Sequence, residues 1–248
     1  MELFYALPGQ IDRKAGLVML DGDEFHHLVR VLRKKRNECI AVTDGTGTHF
    51  DVCITAIEKS VLNGTITAER PVARSATTVT VALSLLKAPP RFELFLEKAT
   101  ELGVSAVIPM ITARTVAQPS GDRIAKRLIR WKTIMLSAAR QSGRYYLPDI
   151  IEPLPFGKVI GLSGYDRKLI PYERSPHTAS DVRCTGGNLL FLIGGEGGFT
   201  AEEVLQARDA GFTEISFGRS VLRAETAGIF AVSMVRARLL EQTAEEWL

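Results

Sequence analysis

The spacing of apolar residues divides the chain in two. Between positions 69 and 78 the run Glu69-Arg70-Pro71-Val72-Ala73-Arg74-Ser75-Ala76-Thr77-Thr78 carries no sustained apolar period, and the patterns on its two sides differ. Before it, short β-prone runs at 17–20, 39–43, 50–57 and 61–66 are separated by turn signals such as Asp44-Gly45-Thr46-Gly47 and Asn63-Gly64. That pattern predicts a small β-barrel or sandwich. After it, strands at 79–86, 106–111, 189–193 and 215–217 alternate with helices at 91–102, 123–144, 201–210 and 224–241. Alternation of this kind predicts an α/β fold, a parallel sheet with helices on its faces. Gly103 and Gly211 end two of the helices, and Thr200 with Glu203 forms a capping-box pattern at the start of a third. The expected domains are therefore residues 1–72 and 73–248.

Two apolar runs in the second half end at glycine-marked turns, Ile193-Gly194-Gly195-Glu196-Gly197-Gly198-Phe199 and Phe217-Gly218-Arg219-Ser220-Val221-Leu222-Arg223. In open α/β sheets ligands bind at such strand ends. A phosphate loop needs a Lys and a Ser or Thr after its last glycine, and Phe199 and Thr200 stand there instead. A dinucleotide fingerprint needs a third glycine or alanine where Thr200 stands. Glu196 adds a carboxylate that competes with any phosphate for a helix N-terminus. A ligand without phosphates, neutral or cationic, fits better, and S-adenosylmethionine has that character.

Composition narrows the setting. With 248 residues, 46% hydrophobic and 24% charged, the chain has ample material for a core. Cys39, Cys53 and Cys184 are dispersed and odd in number, which argues against a disulfide framework and a clustered metal site and points to a reducing cytoplasm. No apolar run approaches a membrane span. The net charge of +3 is small but concentrated. Arg30, Arg33, Lys34, Lys35 and Arg36 form one cluster. Arg123, Lys126, Arg127, Arg130, Lys132, Arg140 and Arg144 form another along a predicted helix, with Ile124, Leu128, Trp131, Met135 and Ala138 as its apolar stripe. Such clusters are either solvated faces or the electrostatic footprint of a polyanion.

Five ordered motifs resemble one family. They are His26-His27 with Val31-Leu32-Arg33; Glu97-Lys98-Ala99-Thr100-Glu101-Leu102-Gly103; 138–144 with Pro148; 193–199; and 217–227. Together they resemble the RsmE-type uridine-N3 methyltransferases of 16S ribosomal RNA, in the SPOUT superfamily, over nearly the whole chain. The resemblance implies a PUA-like RNA-binding β domain followed by a SPOUT methyltransferase domain with a C-terminal trefoil knot. It also implies a homodimer, a small-ribosomal-subunit RNA partner and S-adenosylmethionine held mostly by backbone. The cofactor positions map to Ile170, Pro171, Ile193, Gly194, Gly195, Gly197, Gly198, Phe217, Gly218, Val221 and Leu222, with Thr226 either bonding adenine or capping the last helix.

Methylating uridine N3 requires loss of its proton, so a cation that favours the uridinate, a base, or both are needed. Arg223 is the candidate cation, and Glu225 is a candidate base or an anchor for Arg223. RNA contacts are expected from His27, Arg30, Arg33, Lys34, Arg114, Arg123, Arg127, Arg130, Arg140 and Arg144. Three positions depart from the family pattern: Gly195 replaces a usual proline and leaves its loop looser, Arg140 replaces a usual acid, and an N-terminal arginine is missing from Glu2-Leu3-Phe4-Tyr5. A different acceptor, such as a ribose hydroxyl or another base, and a non-catalytic RNA-binding assembly factor remain alternative readings.

Overall fold

The computed structural model describes residues 2–116, 121–173, 175, 177–178, 182 and 184–242. Two compact units are present, Met1–Arg74 with Ala139–Leu147, and Ser75–Ala138 with Pro148–Leu248.

The first unit is a six-stranded sheet in the order β1-β4-β5-β6-β3-β2. Its strands are β1 (Leu3–Tyr5), β2 (Ile11–Asp12), β3 (Leu17–Leu20), β4 (Cys39–Thr43), β5 (Thr48–Ile57) and β6 (Leu62–Pro71). Strands β3 to β6 were expected and β1 and β2 were not, and alternation sorts the faces of β4 and β5. Phe50, Val52 and Ile54 of β5 are fully buried with Ile40 and Val42 of β4, whereas Asp51 and Cys53 between them are not. Phe4, Leu20 and Leu28 complete this core. The paired histidines lie on a helix as expected, but an unusual one: α1 (Gly22–Phe25) runs directly into a π-helical turn, His26–Val31. His26 is exposed and His27 half-buried against Glu2, 3.1 Å from Nε2 to Oε1.

Residues 139–147 complete this unit, a return of the chain that local patterning could not show. Tyr145 Oη lies 2.9 Å from His49 Nδ1, and Tyr146 Oη donates to the Val72 carbonyl at 2.8 Å. Gly47, at φ +101°, is required beneath Tyr146, because a Cβ there would stand 2.1 Å from its ring. Tyr5 Oη donates to the Arg144 carbonyl, and burial pushes the Tyr5 hydroxyl pKa well up.

The second unit is a parallel sheet ordered β10-β8-β7-β12-β11-β13, with β9 also beside β8. Its strands are β7 (Thr77–Ser84), β8 (Ala106–Ile111), β9 (Asp149–Ile150), β10 (Leu154–Pro155), β11 (Arg167–Pro171), β12 (Gly187–Ile193) and β13 (Thr213–Ile215). Helices α2 (Pro89–Leu102), α3 (Gly121–Gln141), α4 (Phe156–Ile160), α5 (Ala201–Asp209) and α6 (Ala224–Gln242) cover both faces. Successive strand residues face opposite sides, so Val81 and Leu83 pack with α2, α3 and α6, while Ala82, Leu190 and Leu192 pack with α4 and α5. Close contact between α2 and α6 depends on Gly228, where a Cβ would meet the Phe95 ring at 2.6 Å.

Several sequence boundaries shift. The strand expected at 215–217 lies at Thr213–Ile215, which frees Phe217 for the loop; β7 stops at Ser84; and α3 stops at Gln141 because Gly143 turns the chain with φ +66°. The short strand β11 carries Arg167 and Lys168 and lacks the continuous apolar run by which a buried strand is recognised.

Candidate active site

Strands β11, β12 and β13 are adjacent, and their C-terminal ends open onto one cavity of about 260 Å³. Its walls come from both glycine turns and from the end of β11. Of the expected cofactor positions, Pro171, Ile193, Gly194, Gly195, Gly197, Gly198, Phe217, Gly218, Val221 and Leu222 line it. Two do not. Ile170 is fully buried in the core on the α4–α5 side, and Thr226 sits exposed in the first turn of α6. Ile170 faces away because it neighbours Pro171 on a strand, and adjacent strand residues point oppositely.

Tyr172, Glu173, Phe199, Ser220, Ala224 and Ala227 also line the cavity. Most adjoin an identified motif residue, and that adjacency was the only signal available. The donor set suits a nucleoside attached to a cationic group. Apolar walls from Ile193, Phe199, Phe217 and Leu222 can flank a base, and the carboxylates at the cavity are Glu173 and Glu196. Gly218, at φ +106°, has no atom within 4 Å of where a Cβ would stand, so it offers bare backbone at the cavity wall.

The glycine turn after β12 is held from three sides. Glu196 Oε1 accepts from the Lys87 amide at 3.0 Å, which ties the turn to the segment after β7. The Gly195 carbonyl accepts from the Gly198 amide at 3.0 Å, and a Cβ at Gly195 would stand 3.1 Å from Ser84 Oγ. That hydroxyl lies in a triangle with Thr112 Oγ1 at 3.2 Å and Thr115 Oγ1 at 2.9 Å. The third tie is Arg114, whose Nη1 donates to the carbonyls of Gly197 at 2.5 Å and Phe199 at 3.3 Å. Next to it the Ala113 amide donates to Glu203 Oε1 at 2.8 Å, while Glu203 Oε2 closes the capping box with Thr200.

Arg114, expected to contact RNA, has its Nη1 engaged by the glycine turn after β12. Replacing Arg114 with alanine removes a charge-assisted pair of hydrogen bonds, each worth roughly 1.5–3 kcal/mol. The expected outcome is about a tenfold or larger rise in the dissociation constant for S-adenosylmethionine, measured by calorimetry, with no comparable change in affinity for RNA.

Arg223 is exposed and makes no ion pair with any described residue, so its charge is available beside the cavity-lining Leu222. Glu225 does not anchor it. Glu225 is buried in the first turn of α6 with Oε1 3.8 Å from Arg91 Nε, and its Oε2 is buried without a hydrogen-bond partner among the described residues. Arg223 stands one position before α6 and is exposed, whereas Glu225 is buried inside the first turn of that helix, so the two side chains meet different surroundings.

The basic clusters separate into committed and open cations. Arg130 forms a bidentate pair with Glu93 at 2.5 and 2.7 Å, Lys34 pairs with Glu38 at 3.0 Å, and Arg140 Nε donates to the buried Glu24 at 2.8 Å. Arg140 thus leaves the outward face it was expected to join. Arg144 is half-buried with its carbonyl engaged by Tyr5. Arg30, Arg33 and Arg123 are exposed, and Arg127 is half-buried. Where an N-terminal arginine was missing, Glu2 engages His27. Among the described residues no cluster of three or more His, Cys, Asp or Glu could hold a metal, and no helix is long and apolar enough to cross a membrane.

Comparison with known proteins decides the family. Residues 73–236 match the RNA methyltransferase domain, and residues 20–65 match the RNA methyltransferase PUA domain. The ribosomal RNA small subunit methyltransferase E of Synechocystis is 31% identical over 231 residues, 90% of this chain and 73% of that protein. The chain belongs to the ribosomal RNA small subunit methyltransferase E family. Its fold agrees with solved members: the Neisseria gonorrhoeae enzyme bound to S-adenosylmethionine superposes with a TM-score of 0.84 at 31% identity, covering 96% of this chain and 98% of that one. A Legionella pneumophila methyltransferase in complex with the same cofactor gives 0.85 at 29% identity, over 95% and 97% of the two chains. The expected architecture, a PUA-like β domain with a parallel-sheet methyltransferase domain, is therefore the family's own.

Proposed function

We propose that this protein transfers the methyl group of S-adenosylmethionine to N3 of a uridine in the RNA of the small ribosomal subunit. The observation that carries the reading is the cavity at the ends of β11, β12 and β13, formed by two glycine turns and carrying Glu173 and Glu196, with Arg114 donating to the Gly197 and Phe199 carbonyls. Membership of the family supplies the class of reaction and of substrate.

When bound, the cofactor supplies an electrophilic methyl on a sulfonium. The chain's own contribution is positioning and charge. The backbone of 193–198 and 217–222 holds the adenosine end, with Arg114 fixing the first of these turns. Arg223 places a cation where negative charge gathers on the uracil oxygens as N3 loses its proton. Glu225, locked against Arg91, orients the start of α6. The exposed Arg30, Arg33 and Arg123 meet phosphates, with Arg127 one turn after Arg123 on α3. The target base must leave its stack before N3 is exposed.

The test has two stages. S-adenosylmethionine, but neither NAD nor ATP, should raise the melting temperature, by about 2.7 kcal/mol of stabilisation at a hundredfold excess over the dissociation constant. Nucleoside analysis of small-subunit RNA after incubation should then show 3-methyluridine. Stabilisation by ATP or NAD alone, or methyl incorporation into ribose, would overturn the proposal.

We further read the second unit as the dimerising one and the cytoplasm, where ribosomal subunits are built, as its compartment. Val221 is 82% exposed at the second turn, and Phe230 on α6 is 41% exposed with its ring 4.9 Å from that of Phe217. Apolar side chains left open beside the cavity fit a covered interface. Phe230→Asp should convert the protein to monomers in analytical ultracentrifugation while leaving its circular dichroism unchanged.

A further inference from the structure

The register of the first unit places two of the three cysteines directly opposite each other. Cys39 of β4 and Cys53 of β5 are Cα partners in an antiparallel ladder. The neighbouring rung is the hydrogen-bonded one: the Ile54 amide donates to the Glu38 carbonyl at 2.9 Å, and the Asn37 amide to the Ile54 carbonyl at 2.8 Å. Rungs alternate, so Cys39 and Cys53 occupy a non-hydrogen-bonded position, where side chains stand closest and Cα atoms are about 4.5 Å apart. A disulfide needs a Cα separation of roughly 4.4–6.8 Å. Both thiols lie on the outward face of the sheet, because Ile40, Val52 and Ile54 on either side of them point into the core. Cys39 is exposed and Cys53 half-buried, whereas Cys184 is buried in the other unit.

We propose that Cys39 and Cys53 are a reversible thiol modification site that closes to an intramolecular disulfide under peroxide. The exposed Cys39 thiolate attacks a peroxide oxygen, breaking the O–O bond and releasing hydroxide to leave a sulfenic acid. The Cys53 thiolate then attacks that sulfur, forming the S–S bond and expelling a second hydroxide. Two thiols and one hydrogen peroxide give one disulfide and two waters, the thiol protons ending in the water and two electrons passing from sulfur to oxygen. In a reducing compartment such a bond is transient, opened again by low-molecular-weight thiols. Cys53 thereby protects Cys39 from irreversible oxidation, at the strand that begins just after the basic run Arg33 to Arg36.

The test uses the full chain. After peroxide treatment, blocking of remaining thiols and non-reducing digestion, mass spectrometry should find the Cys39 and Cys53 peptides joined with loss of two hydrogens, and Cys184 unmodified. Free thiols per denatured chain should fall from the three present in the sequence to one, and dithiothreitol should restore them. In Cys53→Ser the same treatment should drive Cys39 to sulfinic or sulfonic acid that dithiothreitol does not reverse. Cys39 over-oxidised in the parent protein with Cys53 still free, or Cys39 joined between two chains, would overturn the proposal.

Discussion

Replacing Arg223 by alanine should lower kcat by about a hundredfold to a thousandfold while leaving S-adenosylmethionine affinity nearly unchanged, as expected when one preorganised group that stabilises developing charge is removed. Arg223 is exposed and makes no ion pair with any described residue, so its removal breaks no ion pair among them and folding should be intact. The cofactor turns are formed by backbone and by Arg114, which the substitution does not touch. If the cation acts by favouring the uridinate, raising the pH should recover part of the lost rate, because hydroxide then removes the N3 proton without its help. Arg223→Lys should retain more activity than the alanine variant. A single-turnover pH profile is the decisive measurement: parallel profiles for parent and variant, offset by a constant factor, would assign Arg223 to binding rather than to proton loss.

Arg140→Ala should destabilise the first unit by about 3 kcal/mol and make RNA binding a secondary loss. Glu24 is 10% exposed at its side chain and Arg140 22%, and the guanidinium supplies two of the hydrogen bonds to Glu24 Oε1. Without it that carboxylate keeps, among the described residues, the Tyr5 amide at 3.3 Å, while Oε2 is already buried with no hydrogen-bond partner among them. Removing one member of a buried pair leaves an uncompensated charge, which costs more than the pair contributed. Urea unfolding followed at the first unit measures the loss, and adding Glu24→Gln should recover much of it through coupling between the two sites. A variant of unchanged stability and weakened RNA binding would return Arg140 to the outward basic face.

The same site sets a pH dependence. Burial raises the Glu24 carboxyl above its ordinary value, and Arg140 opposes that shift without cancelling it. In the window between the ordinary and raised values the folded chain therefore binds more protons than the unfolded one, and stability falls as pH rises. Loss of Arg140 should widen that window and steepen the fall.

Much of the fold was legible because its signals are local. Alternation of Phe50, Val52 and Ile54 with polar neighbours marks β5, and Thr200 with Glu203 marks the start of α5. The glycine turns were legible because tight strand-to-helix turns restrict residue choice. What escaped was set by partners distant in sequence. Arg114 resembled an RNA contact because strand-end loops carry function, yet its role is fixed by two carbonyls more than eighty positions away. Arg140 and Arg130 resembled a basic face because helical periodicity cannot show that Glu24 and Glu93 wait opposite them. Glu225 is paired with Arg91 rather than Arg223, and that partner lies on another helix. That the Ile170 side chain faces the core escaped notice because a strand too short and polar to be recognised carries no alternation from which to assign its face.

The discontinuity of the first unit has a consequence for synthesis. Its sheet is complete in sequence by residue 74, but the segment 139–147 that engages Tyr5, His49 and Val72 is made only after residues 75–138. At about 5–20 residues per second, the nascent sheet waits several seconds with those groups exposed to water. The sheet of the first unit, made before the second unit, is thus among the last parts to reach its final hydrogen bonding.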